Sequence, residues 1–342
     1  MQSTLETLLQ ATVGPERTSR LMSTLVVPVA LLDALNPSLG SLPCTRAMVA
    51  QALNMLLFED LIARVPAAQT YVDRCRNKGE TIVHDHGAVR TVDLDGMGAL
   101  PRGREAITRI LTPLGYELRG TYPLDRLRMT GRSYAQADLP EDIAQFFISE
   151  LHVDRFPASF AGVVQSVTSH SADPLTPHAQ TILATLETTG HDTVERCAEL
   201  LPVLLKCFDR QHPEPLLSDY EALLAESAEM AWIATEGNAF NHATDRVQDI
   251  EALSREQKAL GQPMKEKVEV SGTGRVRQTA FHAARVTRNF RLANGGETTL
   301  EVPGSFLEFI ARDYIPGEAT RTLDLSFDPS NAQAIFKMTA GS

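Results

Sequence analysis

The feature that most constrains this chain is a set of landmarks that occurs twice in the same order. His-x-x-x-Arg stands on a β-patterned stretch at His86 to Arg90 and again at His242 to Arg246. A helix-patterned stretch follows in each half and ends in Leu-Gly, at Leu114-Gly115 and Leu260-Gly261. Each half then reaches a β-patterned run with a glutamate among aromatic residues, Phe146-Phe-Ile-Ser-Glu150 and Phe306-Leu-Glu308. The interval from histidine to glutamate is 64 residues in the first half and 66 in the second. Order kept over such intervals is the mark of a duplicated unit. It predicts two copies of one βαβββ module.

Local patterns fill in the modules. Residues 80–92 are rich in β-branched side chains with a two-residue period, which reads as a strand. A helix over 104–114, with Ile107, Ile110 and Leu111 at helical spacing, precedes strands at 116–122, 126–134 and 145–153. In the second half, a strand at 239–247 and a helix at 249–260 lead to strands at 265–273, 275–285, 286–292 and 298–310. Residues 1–79 read as helical, with Leu5, Leu8, Leu9 and then Met48, Ala52, Met55, Leu56 on apolar faces. Thr45 caps the second run, and Pro66 interrupts it. Helical segments at 181–186, 194–208 and 220–231 read as an insertion. The expectation is an α+β chain: an N-terminal helical region over 1–79, a first βαβββ module over 80–155, a helical insertion over 156–232, and a second module with a C-terminal tail over 233–342. The modules are expected to form a curled sheet or half-barrel around a metal site, in one compact catalytic unit.

Charge and cysteine usage exclude several classes of function. A net charge of −11 repels phosphate backbones and anionic lipid, so no nucleic-acid or membrane partner is expected. The apolar stretch 25–35 contains Pro28 and Asp33 and is too short to span a bilayer. The start at Met1 lacks the pattern of a secretory leader, and a cytoplasmic location is expected. Cys44, Cys75, Cys197 and Cys207 form no CxxC pair, so they read as reduced and mostly buried.

Side chains two and four apart on a strand share a face, which groups His84, His86 and Arg90, and likewise His242, Thr244 and Arg246. If two like modules curl around one cavity, their first strands lie together and His86 meets His242. Glu308 on the last strand can then complete a set of three ligands. Two imidazoles and one carboxylate with open positions suit a non-haem Fe(II) oxygenase. Competing roles exist for each residue. Strand histidines are commonly hydrogen-bonded structural groups, Glu308 can pair with Arg312, and Glu150 reads as structural, with a fourth ligand as the alternative. Arg90 and Arg246 can form ion pairs with Asp85, Asp93 or Asp245, or clamp a substrate carboxylate in bidentate fashion, and Arg90 is the stronger candidate. Gln278 and Thr279 are candidates for hydrogen bonds to substrate or plain ladder residues. Trp232, the only tryptophan, reads as a packing anchor.

The segments His86–Arg90, Phe147–Leu151, Asn241–Val247 and Gly304–Phe309 resemble motifs of the 2-oxoadipate dioxygenase/decarboxylase family, in the family's order, over about His86 to Phe336. The resemblance implies a fold similar to the vicinal-oxygen-chelate or glyoxalase superfamily. It also implies Fe(II) held by His86, His242 and Glu308, with Arg90 as the binder of a substrate carboxylate. The reaction implied uses a 2-oxo acid and O₂, turns 2-oxoadipate into 2-hydroxyglutarate and CO₂, and belongs to lysine breakdown. Members of the family carry additional C-terminal sequence, so recognition of a second substrate carboxylate is expected to differ here. Two other readings of the same residues are a redox-neutral, glyoxalase-like hydrolase or isomerase with Zn²⁺, Ni²⁺ or Mn²⁺, and a non-catalytic small-molecule-binding protein.

Overall fold

A computed structural model describes residues 2–32, 43–317 and 321–328. Met1, the end of the 25–35 stretch and the segment around Phe336 lie outside them. Helices α1 (Thr4–Val13) and α2 (Pro15–Thr24) come first, then the short strand β1 (Cys44–Thr45), α3 (Arg46–Arg64) and α4 (Pro66–Lys78). The expected cap is present: Thr45 Oγ1 accepts from the Met48 amide at 3.3 Å. Pro66 opens α4, where a missing N–H costs nothing, so α3 and α4 meet at Val65.

The first module is β2 (His84–Asp93), α5 (Glu105–Leu111), β3 (Tyr116–Leu124), β4 (Met129–Gln136) and β5 (Gln145–His152). Helices α6 (Ala158–Thr168), α7 (Pro177–Thr189), α8 (Val194–Cys207), α9 (Leu217–Glu226) and α10 (Ala228–Glu236) follow, and β6 (His191–Asp192) pairs with β1. The second module is β7 (His242–Arg246), α11 (Ile250–Ala259), β8 (Glu269–Val270), β9 (Val276–Ala280), the hairpin β10 (Arg285–Arg291) and β11 (Glu297–Pro303), and β12 (Phe306–Arg312).

One eight-stranded sheet unites the modules in the order β3-β4-β5-β2-β7-β12-β9-β8 and curls into a half-barrel. In each half the first and last strands are parallel neighbours, β2 with β5 and β7 with β12, while β2 and β7 meet antiparallel at the centre. The outer face, with Val89, Ile148, Ala243, Leu307 and Phe309, packs into a continuous core with Phe58 and Leu61 of α3 and with α8. Burial of that face at roughly 1.5–3 kcal/mol per large side chain holds the helices on the sheet and leaves the inner face for polar groups. The Leu-Gly turns after α5 and α11 place Gly115 at φ +83° and Gly261 at φ +73°, a region that disfavours any residue with a Cβ.

Several sequence expectations change in detail. The expected strand 298–310 is two strands in different sheets, because Gly304 breaks the run: its amide donates to Ala284 O and its carbonyl accepts from Trp232 Nε1 at 3.1 Å. The strands expected at 275–285 and 286–292 resolve into β9 in the main sheet and β10 in the separate hairpin. That at 265–273 keeps only two residues of ladder, β8. The helix expected over 220–231 divides at Ser227, whose extended backbone and side chain cap α10. His84 does not share a face with His86. A bulge between them inserts Asp85, and His84 turns outward to lie 5.0 Å from the Phe58 ring.

Candidate metal centre

The inner face brings His86 from β2, His242 from β7 and Glu308 from β12 to one point. His242 Nε2 lies 3.0 Å and His86 Nε2 3.6 Å from Glu308 Oε2, and the two Nε2 atoms are 3.4 Å apart. All three side chains are buried. Each imidazole is oriented from behind: His86 Nδ1 is 2.8 Å from Asp85 Oδ1, and His242 Nδ1 is 2.9 Å from Asn241 Oδ1. With those oxygens accepting from Nδ1–H, both Nε2 lone pairs face the carboxylate. Three electron-rich atoms aimed at one point repel one another unless a cation lies between them, so the donor set fits a divalent metal.

The remaining contacts hold the carboxylate. Gln278 Nε2 donates to Glu308 Oε1, and Thr244 Oγ1 donates to Glu308 Oε2 at 3.2 Å. Burial opposes ionisation of Glu308, yet when His242 and His86 carry protons on the facing nitrogens they hold it well below the usual carboxylate range. Burial lowers the pKa of His242. In His86 burial acts the same way, but the Asp85 and Glu308 carboxylates outweigh it and raise the pKa.

Asp85 is itself clamped by two arginines. Arg246 Nε donates to Oδ2 at 2.6 Å, and Arg312 donates to Oδ1 through Nη2 at 2.9 Å and to Oδ2 through Nε at 3.0 Å. Burial opposes its charge, but Arg312 and Arg246 keep its carboxyl far below the ordinary value. Arg312 Nη1 reaches on to the carbonyls of Asp324 and Ser326, which hold the tail segment bearing Phe327. The Phe327 ring stands perpendicular to His86 at 4.8 Å and closes that side.

The cavity over the triad is lined also by Ala88, Arg90, Phe147, Gln278 and Phe327. Arg90 is buried at 1 % exposure, with its guanidinium 4.8 Å from the Trp232 ring centroid. Burial lowers its pKa to about 10, against the support of Glu229, so it stays protonated at neutral pH. Trp232 is therefore a packing anchor that also stacks on the cavity's arginine. Arg246 is not brought into the cavity wall: it faces Asp85 and donates to Glu141 O at 3.0 Å. Gln278 is in the wall, turned toward Glu308. Glu150 lies on the outer face, with Arg132 at 2.8 Å and the Arg104 amide at 2.7 Å.

A second grouping, Asp93, Glu150 and His152, also has the residue types of a metal site. There Arg102 and Arg132 occupy the carboxylates, and Thr130 lies 2.7 Å from His152 Nε2, so the charges are already balanced. A larger cleft of about 830 Å³ between α2, α3 and α10 contains none of the triad. Asp85, Asn241, Thr244 and Phe327 were not singled out as site residues from the sequence. The only signal for Asn241 is that it directly precedes a candidate histidine; Asp85 precedes one too, and it is also the partner with which Arg246 forms one of the ion pairs that the sequence offers.

The family model for 2-oxoadipate dioxygenase/decarboxylase matches residues 50–337. The chain belongs to the 2-oxoadipate dioxygenase/decarboxylase family. It is 26% identical over 308 residues to the rice chloroplastic/amyloplastic 2-oxoadipate dioxygenase/decarboxylase, covering 82% of this chain and 75% of the relative. A crystal structure of a putative glyoxalase superfamily protein from Ralstonia eutropha is 56% identical, with a TM-score of 0.89 over 95% of this chain and 98% of the other. The rice hydroxyglutarate synthase, solved in complex with 2-oxoadipate, shares the fold at 20% identity and a TM-score of 0.66, covering 90% of this chain and 95% of that one. Membership places the chain in a family of enzymes. Among the described residues, no helix is long and apolar enough to cross a membrane.

Proposed function

We propose that this protein is an Fe(II)-dependent dioxygenase and decarboxylase of 2-oxo acids, with 2-oxoadipate as substrate and 2-hydroxyglutarate and CO₂ as products. The observation that carries the reading is the convergence of His86 Nε2, His242 Nε2 and Glu308 in a buried cavity that also takes in the Arg90 guanidinium. His86, His242 and Glu308 would hold the metal. Fe(II) with two neutral imidazoles and one carboxylate retains about one positive charge and roughly three open positions, and supplies a redox centre for O₂ and a 2-oxo acid.

The chain's own residues do the positioning. Arg90 pairs with a substrate carboxylate and offsets its charge in a site where burial strengthens the attraction. Asp85 and Asn241 orient the imidazoles, and Gln278 and Thr244 orient Glu308. Arg246 serves through Asp85 rather than on the substrate. Phe147, Phe327 and Ala88 keep water from the open side. In the balanced reaction the C1–C2 bond of the 2-oxo acid breaks and C1 leaves as CO₂. One oxygen of O₂ completes the new carboxylate at the former keto carbon, and the other hydroxylates the same chain. The buried free cysteines fit a reducing compartment such as the cytoplasm.

The decisive assay is O₂ uptake and CO₂ release by iron-loaded protein with 2-oxoadipate. One CO₂ per O₂ is expected, with no turnover under argon. His86→Ala, His242→Ala and Glu308→Ala should each lose iron and turnover, whereas Arg90→Ala should raise KM by about tenfold or more, the worth of a charge-assisted bond. Anaerobic turnover would instead favour the redox-neutral reading with Zn²⁺, Ni²⁺ or Mn²⁺. Turnover retained in His242→Ala would reject the ligand set.

A further inference from the structure

The register of the sheet relates the modules residue by residue. At the centre His86 stands opposite Thr244 and Ala88 opposite His242. A half-turn between these pairs exchanges His86 with His242 and Ala88 with Thr244. Thr244 is paired with Glu308 on β12, and Ala88 is paired with Phe147 on β5. The counterpart of Glu308 is therefore Phe147, and not Glu150 as the order of landmarks suggests. One strand further out, Gln278 stands opposite Ile310, and Gly131 stands opposite Ser149. The counterpart of Gln278 is thus Gly131.

The carboxylate and the two groups that hold it in the second module each have an inert equivalent in the first: Phe147 for Glu308, Gly131 for Gln278 and Ala88 for Thr244. These replacements fit one another. A Cβ on Gly131 would lie 2.5 Å from Phe147 Cζ, so the glycine makes the room the ring occupies. The ring packs 5.0 Å from Phe327 and 5.7 Å from Tyr122, and it lines the cavity over the triad.

We propose that Phe147 occupies the fourth ligand corner of a two-module metal site and, by offering no lone pair, keeps one side of the centre open for an external ligand. This inference rests on the metal-binding part of the proposed function. A carboxylate at the same corner would take one of the roughly three positions that two imidazoles and one carboxylate leave on the ion, and would cancel its remaining positive charge.

The test uses Co(II) as a stable spectroscopic stand-in and azide as the external ligand. The wild-type Co(II) protein is expected to change its visible spectrum on adding azide. Phe147→Glu should bind azide at least tenfold more weakly, release Co(II) to a chelator at least tenfold more slowly, and lose O₂ uptake when loaded with iron. Phe147→Leu should keep the azide response. If Phe147→Glu is not folded by circular dichroism, Phe147→His takes its place, with a ligating ring of similar size. A folded Phe147→Glu or Phe147→His that binds azide with wild-type affinity and releases Co(II) at the wild-type rate overturns the proposal. Wild-type protein that binds Co(II) and azide but consumes no O₂ with any 2-oxo acid defeats the dioxygenase reading alone. A wild-type protein that takes up no Co(II) defeats both.

Discussion

Asp85 orients a candidate metal-binding histidine and is itself held by two arginines. It accepts from His86 on one side and from Arg246 and Arg312 on the other, with all of its side chain buried. Charge is tolerable there only because anion and cations are desolvated together. Asp85→Asn leaves two guanidinium groups short of a counter-charge, so a stability loss of about 3–5 kcal/mol is expected in urea denaturation. Co(II) titration should show affinity about 10- to 100-fold weaker, because His86 Nδ1–H loses the charged acceptor that raises the basicity of its ring. Asp245 shows the opposite balance. Burial pushes its carboxyl up to about 7, despite bonds from Tyr71 and the Val83 amide. Between about pH 4 and 7 the folded protein holds a proton there that the unfolded chain has released, so this group's contribution to stability falls as pH rises through that window. Asp245→Asn removes the dependence. From about pH 5 to about pH 8 the stability of wild type relative to the variant should fall by about 3 kcal/mol, and equal differences at both ends would refute the assignment.

At the scale of elements, β2 is the strand on which the site depends. Its bulge puts Asp85 and His86 together on the inner side, and Gly87 next to it lets the Phe240 ring approach so closely that a Cβ would lie 2.2 Å from the ring. Gly87→Ala should cost about 1–3 kcal/mol, with most of it recovered in the Gly87→Ala/Phe240→Leu double variant by thermal unfolding. Full additivity of the two substitutions would show that the ring is not what the methyl group meets. These elements also show what the sequence reveals and what it hides. Caps and breaks are local, so Thr45, Pro66 and the two Leu-Gly turns are legible from neighbouring residues alone. The bulge is not, because its cause is the pair Arg246 and Arg312 reaching Asp85 from strands that are distant in the chain. The break at Gly304 is hidden for the same reason, since the Trp232 indole that bonds its carbonyl comes from α10. Counting from aromatic residues aligns Glu150 with Glu308, whereas the ladder pairs Phe147 with Ala88 and turns Glu150 to the outer face. Alternation along a strand is readable; which of two adjacent residues faces inward depends on its neighbours in the sheet.

At the scale of the molecule, the two halves share one sheet, one core and one candidate centre. His86 belongs to the first half, and His242 and Glu308 to the second, so an ion held at their meeting point would tie the halves across the β2·β7 seam. This convergence was legible in advance because duplication predicts where equivalent strands meet, even when neither half predicts the other's side-chain contacts. A metal that binds only the folded protein stabilises it by about 2.7 kcal/mol at a free concentration 100 times Kd. Trp232, the single tryptophan, lies under Arg90 and bonds Gly304 before β12, so its fluorescence reports on the second half beside the cavity. Far-UV circular dichroism reports mainly on the helices of the N-terminal region and the insertion. Because the core runs from α3 through both modules, the two signals should follow one transition in urea. Co(II) should move both midpoints upward together, and His242→Ala should abolish the increment while leaving a single transition. Separate transitions, or a metal-induced shift in the tryptophan signal alone, would mean that the halves unfold independently and that the seam does not couple them.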